Sequence, residues 1–150
     1  MKDIKRIMVM SRSTLSSRKA IHYGFEMAES TGAQLYITHV YSNIFNMEGG
    51  NIFNSQDELR EEYNLMQREA RADLDELIAR EEKNGSPVKI REIEVEGPVY
   101  DEITDLIAKE EIDLLLMPAH PEGHLESYLF DRDNQRIIRH MPCSIFLVKE

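Results

Sequence analysis

The sequence predicts a three-layer α/β fold, in which helices cover both faces of an open parallel sheet of five strands. Short runs that are apolar at nearly every position, such as residues 7–10 and 113–117, alternate with longer segments of helical spacing. The resulting order, β-α-β-α-β-α-β-α-β, is typical of parallel strands joined by right-handed helical crossovers. Continuous apolar runs indicate strands buried on both faces. A length of 150 residues suits one domain with a substantial core.

The first helix is predicted to lie close against the sheet. Ser13 or Thr14 is a suitable N-cap after the first strand, because a hydroxyl oxygen accepts a bond from a free backbone N–H. Small residues then recur at every fourth position: Ala20, Gly24 and Ala28. This spacing puts them on one helix face, where they permit close packing. Gly32 ends the helix, because glycine readily adopts the left-handed conformation of a C-terminal cap.

The middle of the chain predicts a strand, a loop, a long helix and another strand. Strand two covers residues 34–41, and the glycine- and asparagine-rich residues 42–54 are expected to form a mobile loop. Residues 55–58 match a capping box, so the long helix begins there and runs to about Lys83. Strand three covers residues 88–95. The predicted buried stripe of the long helix consists of Leu59, Tyr63, Met66, Ala70, Leu74, Leu77 and Ile78.

The last third of the chain predicts two more helices and two more strands. Gly97 and Pro98 precede a helix with an apolar stripe. That stripe consists of Val99, Ile103, Leu106 and Ile107. After strand four, a loop leads to a short last helix. Asp131 or Asp133 is predicted to cap the N-terminus of this helix, which is the positive end of its dipole. Strand five covers residues 143–148.

Charge and composition argue against several classes of function. The net charge of −10 is accompanied by no basic run in the sequence, which argues against nucleic acid or an anionic membrane as the partner. No segment approaches the roughly 20 apolar residues of a membrane span, and the start lacks the apolar region of a signal peptide. The single cysteine, Cys143, permits no internal disulfide. We therefore expect a cytoplasmic protein.

A ligand crevice is predicted at one end of the sheet. Open parallel sheets bind ligands beyond the carboxyl ends of their strands, where the strand order reverses. In this chain the reversal lies between strands one and four. The residues expected there are Ser11, Arg12 and Ser13 after strand one, Val40 near the end of strand two, and Met117 with the loop from Pro118.

The chain resembles the universal stress proteins of the UspA domain type over essentially its whole length. The most specific matching segment, residues 137–143, is close to the usual approach of that family to its last strand. The other matching segments are residues 5–10, 20–28, 31–33, 39–40, 97–98 and 112–117. The resemblance implies an adenine-nucleotide-hydrolase-like sheet with strand order 3-2-1-4-5.

Strand five would then be an edge of the sheet, and an apolar unpaired edge favours pairing with another chain. Universal stress proteins commonly dimerise through this strand, so the resemblance implies a twofold homodimer. The residues concerned are Ser144, Ile145, Phe146, Leu147 and Val148.

Family members that bind ATP carry the motif G-x2-G-x9-G-[ST] after strand four, whose backbone amides and hydroxyl hold the phosphates. Alignment without gaps from the last strand places the four motif positions on Pro118, Pro121, Asp131 and Arg132, and none of them matches. The usual aspartate at the end of strand one, which contacts the nucleoside, corresponds to Ser11. The chain therefore resembles the branch of the family that lacks the ATP motif.

These replacements are unfavourable for phosphate binding. Glycine permits the positive φ of a phosphate loop, whereas proline restricts φ and lacks the N–H donor. A hydrogen bond to a charged group contributes about 1.5–3 kcal/mol, so losing two or three lowers affinity by orders of magnitude. The carboxylate of Asp131 would repel a phosphate about 4 Å away by about 1–4 kcal/mol. Arg132 would offset part of this repulsion.

Three functional hypotheses follow. The first is a non-enzymatic stress-response protein without cofactor, acting as a homodimer through protein contacts. The second is a module for ATP or another small molecule, with a rebuilt loop that uses Arg12, Arg132 and His120. The third, a hydrolase, has the least support, because the sequence shows no set of nucleophile, base and orienting group.

A metal site is not predicted. His120, Glu122, His124 and Glu126 lie close together in sequence, and imidazoles with carboxylates suit zinc. Their spacing fits no established motif, so we expect exposed loop side chains. Cys143 is expected to be buried and unreactive.

Overall fold

The computed structural model describes residues 3–12, 17–41, 56–119 and 125–149. Strands and helices alternate throughout these residues, as the sequence predicts. The elements are β1 (Arg6–Ser11), α1 (Ser17–Thr31), β2 (Gln34–Tyr41), α2 (Gln56–Lys83), β3 (Ile90–Glu96), α3 (Val99–Lys109), β4 (Leu114–Ala119), α4 (Leu125–His140) and β5 (Ser144–Lys149).

The five strands form one parallel sheet in the order β3-β2-β1-β4-β5. This confirms both the predicted fold class and the predicted strand order. In the register, Ile7 of β1 lies opposite Leu35 of β2 and Leu114 of β4. The strand order reverses between β1 and β4, so the predicted crevice belongs at the carboxyl ends of these two strands.

Each face of the sheet carries its own apolar core, because successive strand residues point to opposite faces. On one face, Val9 and Leu35 pack with residues of α1 and α2. On the other, Met8 and Met117 pack with residues of α3 and α4. Ile7, Met8, Val9 and Met10 of β1 are all 0% exposed, which confirms the prediction of a strand buried on both sides.

Gly24 permits the close approach of α1 to the sheet. A Cβ added at this position would lie 2.5 Å from Cγ2 of Val9, a distance that real side chains do not tolerate. Ala20 and Ala28, one turn before and after it, are also buried. Gly32 has φ +70° at the end of α1, as expected for a C-terminal cap. Ser13 and Thr14, the predicted N-caps, lie outside the described residues.

α2 is predicted correctly in position and length. Its 28 residues correspond to about 42 Å, and Leu74, Leu77 and Ile78 in its second half are buried. The capping serine Ser55 and the loop of residues 42–54 fall outside the described residues. So do the side chains of the remaining large stripe residues, Leu59, Tyr63 and Met66. No helix in the described part of the chain is both long enough and apolar enough to span a bilayer.

The segment after β4 differs from the sequence prediction. Pro118 and Ala119 belong to β4 and pair with Val148 and Lys149 of β5, so the loop begins later than expected. Pairing between β1 and β4 is recorded only up to Val9 and Leu116. Pro118 therefore lies beyond the last residue of β4 that pairs with β1. Proline, which lacks a backbone N–H, is tolerated at such a position.

The last helix also differs from its prediction. α4 begins at Leu125 and has 16 residues, so it is not short. Asp131 and Asp133 both lie inside it, and neither is at its N-terminus. The expectation that one of them caps the helix is therefore wrong. An aspartate placed this far into a helix has passed the four free N–H groups that a cap serves.

Candidate functional site

Ser11 and Arg12 follow each other at the end of β1 and serve different faces of the sheet. Ser11 lies opposite His39 of β2 in the strand register, on the α1–α2 face. The guanidinium of Arg12 reaches Asn134 on α4, on the other face. The predicted site residues after β1 therefore belong to two separate environments, since side chains alternate along a strand.

Arg12 connects β1 to α4 at the predicted crevice. Its side chain is 0% exposed, and its Nη2 donates to Oδ1 of Asn134 at 3.2 Å. The same nitrogen lies 3.9 Å from Oδ2 of Asp133, whose side chain is 21% exposed. The backbone N–H of Arg12 donates to Oγ of Ser17 at 3.0 Å, at the start of α1. A cation is thus held within the fold by an amide oxygen and a carboxylate.

Val40 and Met117 lie on the same face of the sheet as the Arg12 contacts. They are 1% and 0% exposed, and both belong to the core formed with α3 and α4. Ile137, one turn after Asp133 and Asn134, is part of the same core. The structure therefore places Arg12, Val40 and Met117 on one face of the sheet.

The four positions aligned with the ATP motif do not assemble into a phosphate loop in the described residues. Pro118 is a strand residue that pairs with Val148, and Pro121 lies outside the described part. Asp131 and Arg132 are the seventh and eighth residues of α4. Their backbone N–H groups fall in the helix interior, where they donate to carbonyls four residues earlier. Arg132 is exposed, and the side chain of Asp131 is not described.

A second polar cluster occupies the other face of the sheet, at the carboxyl end of β2. Nε2 of His39 lies 3.0 Å from Oε1 of Glu92 on β3. Arg71 of α2 approaches the same carboxylate oxygen at 3.6 Å, and its Nε lies 3.2 Å from Oδ1 of Asp75. Glu92 therefore links β2 and β3 to α2.

His39 is held in its neutral form by this environment. Its side chain is 1% exposed, and burial lowers its pKa, because desolvation disfavours the charged imidazolium. The positive charge of Arg71 lowers the pKa further, while the hydrogen bond to Glu92 and the charges of Glu92 and Glu94 oppose this shift. The neutral ring donates from Nε2 to the carboxylate.

Within the described residues, no group of three or more histidine, cysteine, aspartate or glutamate side chains is placed to hold a metal. The histidines considered from the sequence, His120 and His124, lie outside those residues, as does Glu122. Cys143 is half-buried, and burial raises the pKa of its thiol. A raised pKa leaves little reactive thiolate near neutral pH.

Sequence reasoning missed Asn134, Asp133 and Glu92 as partners in these clusters. His39, in the predicted second strand, is a buried hydrogen-bonding residue. An alternation of charged residues along β3 is visible in the sequence, since Glu92, Glu94 and Glu96 share one face. No sequence pattern indicates the rotation of α4 that turns Asn134 toward Arg12.

The family model for the universal stress protein family matches residues 3–149. Among solved structures, a universal stress protein from Burkholderia pseudomallei is 20% identical, with a TM-score of 0.60 over 99% of this chain and 98% of that one. A universal stress protein in complex with cAMP is 18% identical, with a TM-score of 0.62 over 99% and 98%. UspA from Lactobacillus plantarum is 17% identical, with a TM-score of 0.66 over 99% of each chain. No curated protein sequence matches the chain.

Proposed function

The chain belongs to the universal stress protein family, and we propose that it is a non-enzymatic stress-response or regulatory protein of the cytoplasm. In this proposal it acts as a homodimer through protein contacts, and it does not hold ATP in the crevice between β1 and β4. The observation that carries the proposal is the buried hydrogen bond from Arg12, at the end of β1, to Asn134 of α4.

This hydrogen bond supports the proposal because it places protein atoms beside the strand ends where ligands of such sheets bind. Arg12 is among the largest side chains with no exposed surface. A ligand that entered there would have to separate its guanidinium from Asn134 and Asp133. Leaving those groups buried without partners would cost about 1–3 kcal/mol for each hydrogen bond lost.

The position of α4 supports it independently. A helix offers free N–H groups to a phosphate only in its first turn. Because α4 begins at Leu125, residues 131 and 132 are well past that turn. The carboxylate of Asp133, 3.9 Å from Arg12, adds negative charge where a phosphate would need positive charge.

The homodimer rests on the edge strand β5. Its Phe146 and Leu147 are 40% and 48% exposed, although both are large and apolar. Tyr23 of α1 is 36% exposed, and its ring centroid lies 6.0 Å from that of Phe146. Unpaired backbone groups together with exposed apolar side chains favour pairing of β5 with a second copy.

A second candidate is a module for a small adenine nucleotide. The similar structure in complex with cAMP makes this class relevant, and the buried guanidinium of Arg12, on the same face of the sheet as Val40 and Met117, is the feature that favours it. A nucleotide with one phosphate would need fewer donors than ATP. The phosphate of this nucleotide would replace Asn134 and Asp133 as the partner of the Arg12 guanidinium.

Calorimetric titration with ATP–Mg²⁺, AMP and cAMP separates the two candidates. We expect no binding with Kd below about 1 mM for any of the three. Micromolar binding of ATP would overturn the proposal. Binding of AMP or cAMP that weakens by about tenfold or more in Arg12→Met, but not in the surface control Arg139→Met, would establish the second candidate instead.

A further inference from the structure

A groove between α1 and α2 is lined mostly by basic side chains, on a chain whose overall charge is strongly negative. Its volume is about 450 Å³, and its lining residues do not include Arg12, Asp133 or Asn134. The lining residues are Arg18, Lys19 and His22 of α1 and Leu77, Arg80 and Glu81 of α2. The whole chain has 28 acidic and 18 basic residues, so the local balance of charge is reversed.

The positive charge of this groove is only partly neutralised, by Glu81 in its lining and by Asp73 and Glu26 beside it. Arg18 pairs with Asp73 at 3.3 Å, but the two side chains are 57% and 32% exposed, so water screens the pair. His22 lies 3.2 Å from Glu26. Lys19 and Arg80 are exposed, and neither has an ion-pair partner within the part of the chain that the structure describes.

The start of α1 adds to this positive potential. Arg18 and Lys19 lie in the first turn of the helix, which contains no acidic residue. Cations at this end oppose the helix dipole, whereas an anion is favoured there. The arrangement is unfavourable in the isolated chain, and a negatively charged partner would relieve it.

The cations are spread along the groove. α1 and α2 run in the same direction, because each follows one parallel strand and precedes another. The Arg18–Asp73 pair shows that the start of α1 lies beside Asp73 of α2. Arg80 lies seven residues further along α2, a distance of about 10 Å. A single phosphate would contact only one end of such a row. Alternate side chains of an extended segment, about 6.6 Å apart, would reach both ends.

We propose that this groove is a docking site for an acidic segment of a partner protein, with carboxylates on alternate residues. Carboxylates would pair with Lys19 and Arg18 at one end and with Arg80 at the other. The aliphatic stems of these side chains, with Leu77 at the base of the groove, provide the apolar part of the contact. The inference does not depend on what the crevice at Arg12 binds.

A fluorescein-labelled peptide of alternating Glu and Thr tests the proposal, with a Gln–Thr peptide of equal length as the uncharged control. Fluorescence anisotropy should show binding of the acidic peptide alone. The affinity should fall at least about fivefold in Lys19→Gln/Arg80→Gln, and it should also fall when salt is raised from about 50 to about 300 mM. Lys109→Gln/Arg139→Gln removes the same charge from exposed positions on other helices, and its affinity should stay within about twofold of wild type.

Chemical-shift mapping on the wild-type protein complements the variants. Shifts induced by the acidic peptide should be concentrated on residues 18–22 and 77–81. Absence of binding, equal weakening in both double variants, or shifts concentrated elsewhere would overturn the proposal. Inorganic phosphate producing the same shifts at the same concentration as the peptide would also overturn it, because the groove would then be a site for small anions.

Discussion

Nε2 of His39 lies 3.0 Å from Oε1 of Glu92, and this contact joins β2 to β3 beneath α2. The histidine side chain is 1% exposed, and Arg71 of α2 approaches the same carboxylate. A neutral imidazole suits this position, because burial and the nearby guanidinium both disfavour a second positive charge.

The His39 environment predicts acid sensitivity. Since its pKa is lowered in the folded state, the unfolded chain binds the proton more readily, near pH 6.5. The stability from this group is therefore complete above about pH 6.5 and is lost as the pH falls through the folded pKa. Chemical denaturation between about pH 5 and pH 7 should show a steeper loss of stability for wild type than for His39→Gln. Equal slopes would contradict the assignment.

The Arg12–Asn134 bridge predicts a large effect of an uncharged substitution. Arg12→Met retains much of the side-chain length but leaves buried Asn134 without the guanidinium donor. We expect a loss of about 1–3 kcal/mol in the free energy of unfolding, measured by urea denaturation. Arg139→Met, at an exposed position of α4, the helix that carries Asn134, should change stability by less than about 0.5 kcal/mol. Equal effects of the two variants would show that the bridge adds no stability.

The contact of Gly24 with Val9 predicts a steric cost for the smallest possible side chain. Gly24→Ala would place a Cβ 2.5 Å from Cγ2 of Val9. We expect a net loss of about 1–2 kcal/mol, because overpacking outweighs the gain in helix propensity. Val9→Ala removes the clashing methyl groups, so the double variant should show a favourable coupling of more than about 0.5 kcal/mol. Strict additivity would contradict the proposed clash.

Gly32→Ala provides the contrasting case. Apart from its chain neighbours, no atom of the described residues lies within 4 Å of the added Cβ, but φ is +70°. The cost, about 1 kcal/mol, should come from backbone conformation alone. Combination with Val9→Ala should therefore be additive, as judged by thermal or chemical denaturation.

The exposed side chains of β5 predict which substitutions would separate the proposed homodimer. Phe146→Glu would place a charge on the apolar surface shared with Tyr23, and Leu147→Lys would do the same on the opposite face. Light scattering should give the mass of two chains for wild type and of one chain for either variant, because like charges are brought together at a twofold interface. Lys109→Glu, on α3, is the control and should remain dimeric. A wild-type protein with the mass of one chain would overturn the dimer.

Structure was predicted correctly where the sequence pattern is local and repeats along the chain. The apolar run at residues 7–10 predicted a strand buried on both faces, and the three small residues around Gly24 predicted a helix close to the sheet. The complete burial of Ile7, Met8, Val9 and Met10 confirms the first, and the 2.5 Å between a Cβ added at Gly24 and Cγ2 of Val9 confirms the second. Both patterns work because their periods match the geometry of a strand or a helix.

Prediction failed in the segment between β4 and the end of α4. The sequence predicts that Pro118 begins a loop, but it belongs to β4 and pairs with Val148 of β5. Asp131 and Asp133 were read as caps because aspartate favours helix N-termini, but α4 begins earlier, at Leu125. Turn and cap preferences are weak, and packing of the whole helix overrides them.

The sequence by itself determined the alternation of strands and helices and the apolar runs that form buried strands, and its family resemblance implied the strand order and the loss of the glycines on which an ATP loop depends. Only the tertiary structure decided that Arg12 turns toward Asn134, that His39 meets Glu92, and that basic residues of α1 and α2 line one groove. The physical reason is distance along the chain. Apolar periodicity is encoded within a few residues, whereas each of these polar relationships joins residues from separate elements and depends on how those elements pack.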